Sequence, residues 1–169
     1  MIIGVLKEIK PNEYRVAAVP ATVTEIVRHG HTVYVETGAG IGSGYSDGDY
    51  QAAGAIIAEK DTVWEKAQLI YKVKELFPEE FKWMNKDKIL FTYIHSNAHP
   101  AETDCLLDSH VSAVAYEDVP DKDGQGIHFP RMLAVTPVIR HNVLRCREIL
   151  SKYSSLLARI TSVPVNCPS

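Results

Sequence analysis

The 169-residue sequence predicts an α/β fold: a largely parallel sheet with flanking helices. Three observations carry this. Six short β-like runs recur between residues 2 and 117. Segments with helix start and stop signals lie between them. Most of the runs are nearly continuously apolar rather than alternating, which suits strands covered on both faces.

The elements follow in order. "IIGVL" (2–6) is the first strand. "PATVTEIVRHG" (20–30) is a helix, with Pro20 in its first turn and Gly30 just past its last. "HTVYVE" (31–36) is the second strand. Ser46 and Asp49 resemble a capping box opening a helix into "YQAAGA". "AIIA" (55–58) is the third strand, and "DTVWEKA" a helix with Asp61 as its N-cap. "LIYKV" (69–73) and "KILFTYI" (88–94) are the fourth and fifth strands. "HPAETDCLLDSH" starts a helix at Pro100, with Leu106 and Leu107 as its apolar side. "VSAVAYE" (111–117) is the sixth strand. "PDKDGQG" (120–126) reads as a turn or boundary, and 137–150 as an amphipathic helix. The whole is Rossmann-like or flavodoxin-like.

Composition narrows the function classes. A net charge of −3 and a pI near 6.2 argue against nucleic-acid binding. "MIIGVLKEIK" is neither a signal peptide nor a membrane span, and three widely spaced cysteines suit a reduced, cytoplasmic protein. Cys105, Cys146 and Cys167 form no CxxC pair, and the histidines show no metal-ligand spacing, so no metal is expected. His29 and His31 flank a helix end, where they serve its dipole or solvent.

"ETGAGIGSGYSDGDY" (36–50) looks at first like a dinucleotide cradle. The fingerprint needs glycine at i, i+2 and i+5. From Gly38, Gly40 and Gly42 the last place falls on Ser43, Tyr45 and Asp47, so no register fits. "GQGIHF" (124–129) fails as well, at Phe129. The loop reads as a wide turn needing positive φ, with backbone amides still able to line a site.

Other residues carry the candidate chemistry. Arg15 follows the first strand, Lys72 and Lys74 close the fourth, and His95 closes the fifth. Ligands of open α/β sheets bind at the carboxyl ends of strands. Arg grips a carboxylate in a bidentate fashion, Lys polarises a carbonyl oxygen, and His moves a proton near neutral pH. Together they suit a 2-oxo acid such as pyruvate. The bland alternative is that these are solvated charges and a surface histidine.

The stretch from "IGVLKEIKPNEYRVAAVP" through "GAGIGSGYSDGDYQAAGA", with "LIYKVKELFPEEF", "ILFTYIH" and "SAVAYEDV", resembles the N-terminus of the alanine dehydrogenase family. That family includes the nicotinamide nucleotide transhydrogenase α-subunits. The resemblance implies NAD-dependent, reversible oxidative deamination of L-alanine to pyruvate. It implies that Arg15 and Lys74 bind the substrate and that His95 is the acid–base residue. Transhydrogenase subunits usually lack the histidine, so "KVKE" with His95 favours the dehydrogenase branch.

The chain departs from the family in places. "SNAHP" follows His95 where small apolar residues are common, and "AVTPVIRHN" aligns poorly with the family's "PMSE…AG" segment. It ends at "LLARITSVPVNCPS", where the family's cofactor-binding Rossmann domain begins. The expectation is a substrate domain over 1–128, an atypical helix and tail over 129–169, and a truncated or naturally short chain, inactive alone. NAD is the family's cofactor, and none is expected to bind this chain by itself. Pyruvate or L-alanine is the expected ligand, and a homo-oligomer the expected assembly, through helix 137–150. The alternatives are a non-catalytic 2-oxo or amino acid binding module, or a transhydrogenase-like docking domain.

Overall fold

A computed structural model of the chain describes residues 1–116. The chain divides into two units, Met1–Phe129 and Pro130–Ser169, and the described residues belong to the first. The expected boundary at 128, the turn at 120–126 and the helix at 137–150 lie outside them.

All six expected strands form: β1 (Ile2–Val5), β2 (Thr32–Glu36), β3 (Ile56–Ala58), β4 (Leu69–Tyr71), β5 (Ile89–Thr92) and β6 (Ser112–Ala115). They make one sheet in the order β3-β2-β1-β4-β5-β6, with every pairing parallel. Of the two expected variants this is the Rossmann order. Order reverses between β1 and β4, where Val5 faces Tyr71. Loops leaving those neighbouring strands therefore diverge, and a crevice opens between them.

Four helices connect the strands: α1 (Pro20–Arg28), α2 (Asp47–Ala52), α3 (Lys60–Lys66) and α4 (Pro100–Ser109). Pro20 and Pro100 open α1 and α4. The α2 capping box forms as expected, Ser46 and Asp49 each accepting the other's backbone N–H. Two expectations need correction. α3 begins at Lys60 with Glu59 as N-cap, so Asp61 lies in the first turn, where its charge suits the helix dipole. On α4, Leu107 is 67% exposed, while Leu106 packs against the core and Glu102 is buried. The Glu102 carboxylate accepts the Leu76 N–H at 2.7 Å, which ties α4 to the chain beyond β4.

A 3-10 segment at Pro78–Trp83 lies between β4 and β5. One core cluster holds Leu6, Val63, Trp64, Ala67, Ile70, Leu76, Met84 and Leu90, with Trp83 stacked parallel on Trp64. Gly4 allows α3 to approach β1: a Cβ there would stand 2.7 Å from the Ala67 Cβ. Buried Lys88 donates to the carbonyls of Trp64 and Ala67, a cation placed where α3 ends its run of carbonyls. Among the described residues no helix is long and apolar enough to cross a membrane.

Candidate functional site

Arg15 sits in the long β1–α1 loop. That loop begins with a type II turn. Pro11 supplies the fixed φ, Asn12 takes φ 64°, and the Glu13 N–H donates to the Lys10 carbonyl at 3.1 Å. The turn brings Glu13 beside Arg15. Arg15 Nε donates to Glu13 Oε1 at 2.7 Å, and Nη2 donates to Oε2. The Arg15 backbone N–H reaches the same carboxylate at 3.0 Å. These bonds hold the Glu13 carboxyl below its ordinary value, and the same pairing raises Arg15. Glu13 takes only the Nε–Nη2 edge of the guanidinium. Among the described residues three of its five N–H donors remain, enough to grip a second carboxylate with two parallel bonds.

Lys74 follows β4 and is half-buried. Thr92 Oγ1, from the end of β5, donates to its carbonyl at 2.7 Å. Buried Glu8, from beyond β1, accepts the neighbouring Val73 N–H at 2.6 Å, and the Lys74 N–H also favours its ionised form. The Lys74 main chain is thus held from the strands on both sides. Its charge contributes to lowering Glu13, so Arg15 and Lys74 act on one carboxylate.

Lys72 has a different part. It is fully buried, with Nζ 2.7 Å from Glu80 and 3.8 Å from Glu8. Burial raises the Glu8 carboxyl, and the Lys72 charge offsets part of that rise. Lys72 is therefore committed to an internal ion cluster.

His95 follows β5 and is exposed, with φ 51°. A non-glycine residue in the left-handed region marks a sharp change of chain direction. Its ring stacks on Tyr93 at 5.4 Å, nearly parallel. Tyr93 packs edge-on to Tyr116, whose hydroxyl donates to the Lys72 carbonyl at 2.6 Å. Tyr93 also interacts electrostatically with Arg15. The structure pairs Arg15 with Glu13 and His95 with Tyr93.

Sequence reasoning missed Glu13, Glu8 and Tyr93. It also missed a neighbouring cluster in which Glu75 pairs with Lys10 and lies 3.7 Å from His99. Burial pushes the Glu75 carboxyl up, but the bond from Lys10 and the charges of Lys10 and His99 bring it below its ordinary value. The "KPNE" turn was the readable signal for Glu13.

The Rossmann order raises the question of a dinucleotide. In that fold the phosphate cradle is the turn between β1 and α1. Here residues 6–19 contain no glycine, and α1 opens on Pro20, which has no N–H to offer. These residues do not fit a nicotinamide dinucleotide.

A family model described as the N-terminal domain of alanine dehydrogenase/PNT matches residues 4–134. Alanine dehydrogenase from Bacillus subtilis (strain 168) is 50% identical over 122 residues, which cover 72% of this chain and 32% of that protein. A solved L-alanine dehydrogenase superposes with a TM-score of 0.70 at 43% identity, covering 74% of this chain and 35% of the other. A transhydrogenase from Sinorhizobium meliloti superposes with a TM-score of 0.68 at 26% identity, covering 73% and 35%. This chain spans about a third of the length of the relatives it matches.

Proposed function

Because this chain belongs to the alanine dehydrogenase/PNT N-terminal domain family, we propose that it is the substrate-side domain of an NAD-dependent L-alanine dehydrogenase. The reaction interconverts L-alanine with pyruvate and ammonia. One observation carries the reading. Arg15 lies in the loop after β1 and Lys74 follows β4, the pair of strands at which the order reverses.

Each side chain has a task in the reductive amination of pyruvate, in which ammonia adds to the keto carbon, the keto oxygen leaves as water, and NADH would supply the hydride. Arg15 binds the carboxylate with the edge that Glu13 leaves open. The Lys74 ammonium donates to the keto oxygen and draws electron density from the carbonyl carbon. His95 carries a proton to or from that oxygen. NAD is the redox partner of this reaction, and the β1–α1 turn lacks the glycines and the helix N–H that would hold its pyrophosphate.

A second reading is a docking domain of transhydrogenase type. It is favoured by the superposition on the Sinorhizobium meliloti protein. His95 together with "KVKE" favours the first.

Ligand-observed NMR titration of the chain with pyruvate tests the reading. The expected dissociation constant is on the order of millimolar, about 4 kcal/mol. The two charge-assisted bonds from Arg15 are offset by the cost of ordering a small ligand in an open crevice. No pyruvate binding at tens of millimolar would reject the substrate assignment.

A further inference from the structure

The glycine-rich loop over 38–44 lies against the β1–α1 loop that carries Arg15. We propose that it braces Arg15: together with Tyr50 it clamps residues 14–18 of the β1–α1 loop at both ends. The brace rests on the substrate-binding reading above for its purpose, but its geometry stands apart from it.

One end of the clamp is at Tyr14, the residue before Arg15. Ser43 Oγ donates to the Tyr14 carbonyl at 2.8 Å. Gly42 makes this approach possible. A Cβ on Gly42 would lie 2.8 Å from the Tyr14 carbonyl oxygen and 3.1 Å from its Cα. Those neighbours are backbone, so they cannot swing aside as a flexible side chain would.

The other end is at Ala18, three residues after Arg15. Tyr50 is fully buried on α2, and its hydroxyl donates to the Ala18 carbonyl at 2.8 Å. Gly40 leaves room for its ring: a Cβ on Gly40 would stand 2.4 Å from Tyr50 Cε2. The loop is also tied to α2, because the Gly38 N–H donates to Asp47 Oδ1 at 2.8 Å.

The inner and outer glycines of the loop therefore have separate duties. Gly40 and Gly42 admit the two anchors. Gly38 and Gly44, at φ 73° and 83°, let the chain turn on either side of that stretch. The guanidinium is aimed from within its own loop by Glu13. The loop itself is aimed by the β2–α2 segment. This makes Gly42, Ser43 and Tyr50 positioning residues for the carboxylate grip.

The test uses the 169-residue chain with Gly42→Ala, Ser43→Ala, Tyr50→Phe and Ser43→Thr. Two readouts are followed well below the melting temperature: pyruvate affinity by NMR titration, and hydrogen exchange of the Arg15 Nε–H. Gly42→Ala should weaken pyruvate binding roughly tenfold, because small misplacements of a binding group are costly. It should also speed Nε–H exchange. Ser43→Ala and Tyr50→Phe should do both to a lesser degree, and Ser43→Thr, which keeps the hydroxyl, should behave as wild type. Ser43→Ala adds no bulk, so it decides the matter should Gly42→Ala fail to fold. A lowered melting temperature with unchanged Nε–H exchange and unchanged affinity would overturn the proposal. Should the wild type bind no pyruvate, the substrate assignment falls by itself. Faster Nε–H exchange in the variants would then still support the brace, and unchanged exchange would overturn it.

Discussion

Arg15 and Glu13 meet edge to edge within a single loop, with Nε 2.7 Å from Oε1. The bond from Arg15 lowers the Glu13 carboxyl, so the pair stabilises the fold above the ordinary carboxylate pKa. That contribution is lost as pH falls through the lowered folded value. Glu13→Gln should cost under about 1 kcal/mol at neutral pH, since the pair is partly solvated. The gap between variant and wild type should close as acid protonates Glu13. Urea unfolding between about pH 6 and pH 2 measures it, and a gap independent of pH would contradict the assignment.

The three candidate site residues should fail in different ways. Arg15→Ala should abolish pyruvate binding, because the carboxylate loses its bidentate partner. Lys74→Ala should weaken pyruvate more than acetate, which has no keto oxygen to polarise. His95→Ala should change binding least, since its task is proton transfer. The same NMR titration reads all three. Equal pyruvate binding by wild type and Arg15→Ala would remove the carboxylate grip.

Lys72 should matter for stability rather than for ligand. Lys72→Met leaves the buried carboxylates of Glu80 and Glu8 without their cation. Breaking a buried ion pair from one side costs about 3–5 kcal/mol. Adding Glu80→Gln should recover part of the loss, because an amide is cheaper to bury than an unpaired carboxylate. Denaturant unfolding of the single and double variants checks this. A loss under about 1 kcal/mol for Lys72→Met would show the cluster to be solvated.

Gly4→Ala probes the contact between strand and helix. The new methyl would meet the Ala67 Cβ at 2.7 Å and Val63 Cγ1 at 2.9 Å. Overpacking of this kind costs about 1–3 kcal/mol. Gly4→Ala combined with Ala67→Gly should restore much of it, and a melting temperature unchanged by the single substitution would argue against the close approach.

The sequence showed strands and helices well because their signals are local. Apolar runs marked every strand, Pro20 and Pro100 marked two helix starts, and Ser46 with Asp49 marked a third. Arg15, Lys74 and His95 were legible as residues that follow strands. What escaped were facts that depend on strand order. Lys72 reads as an ordinary strand-end lysine until β4 is known to lie beside β1, which brings Glu8 to it. Tyr93 looks like one more apolar residue until His95 is seen stacked on it. The glycine loop read correctly as a turn, but its contact with Tyr14 spans 29 positions and no local pattern announces it.

The pairing of β1 with β4 also has a consequence in time. Glu8 meets the Val73 N–H across 65 positions of chain, and closing so long a loop is slow. On a ribosome β1, β2 and β3 emerge first and can pair among themselves. Until β4 emerges, the inner edge of β1 presents unpaired backbone groups to the solvent. That edge is open to a wrong strand for as long as synthesis takes to reach Tyr71. A chaperone that shields a nascent chain would have its clearest task during that interval.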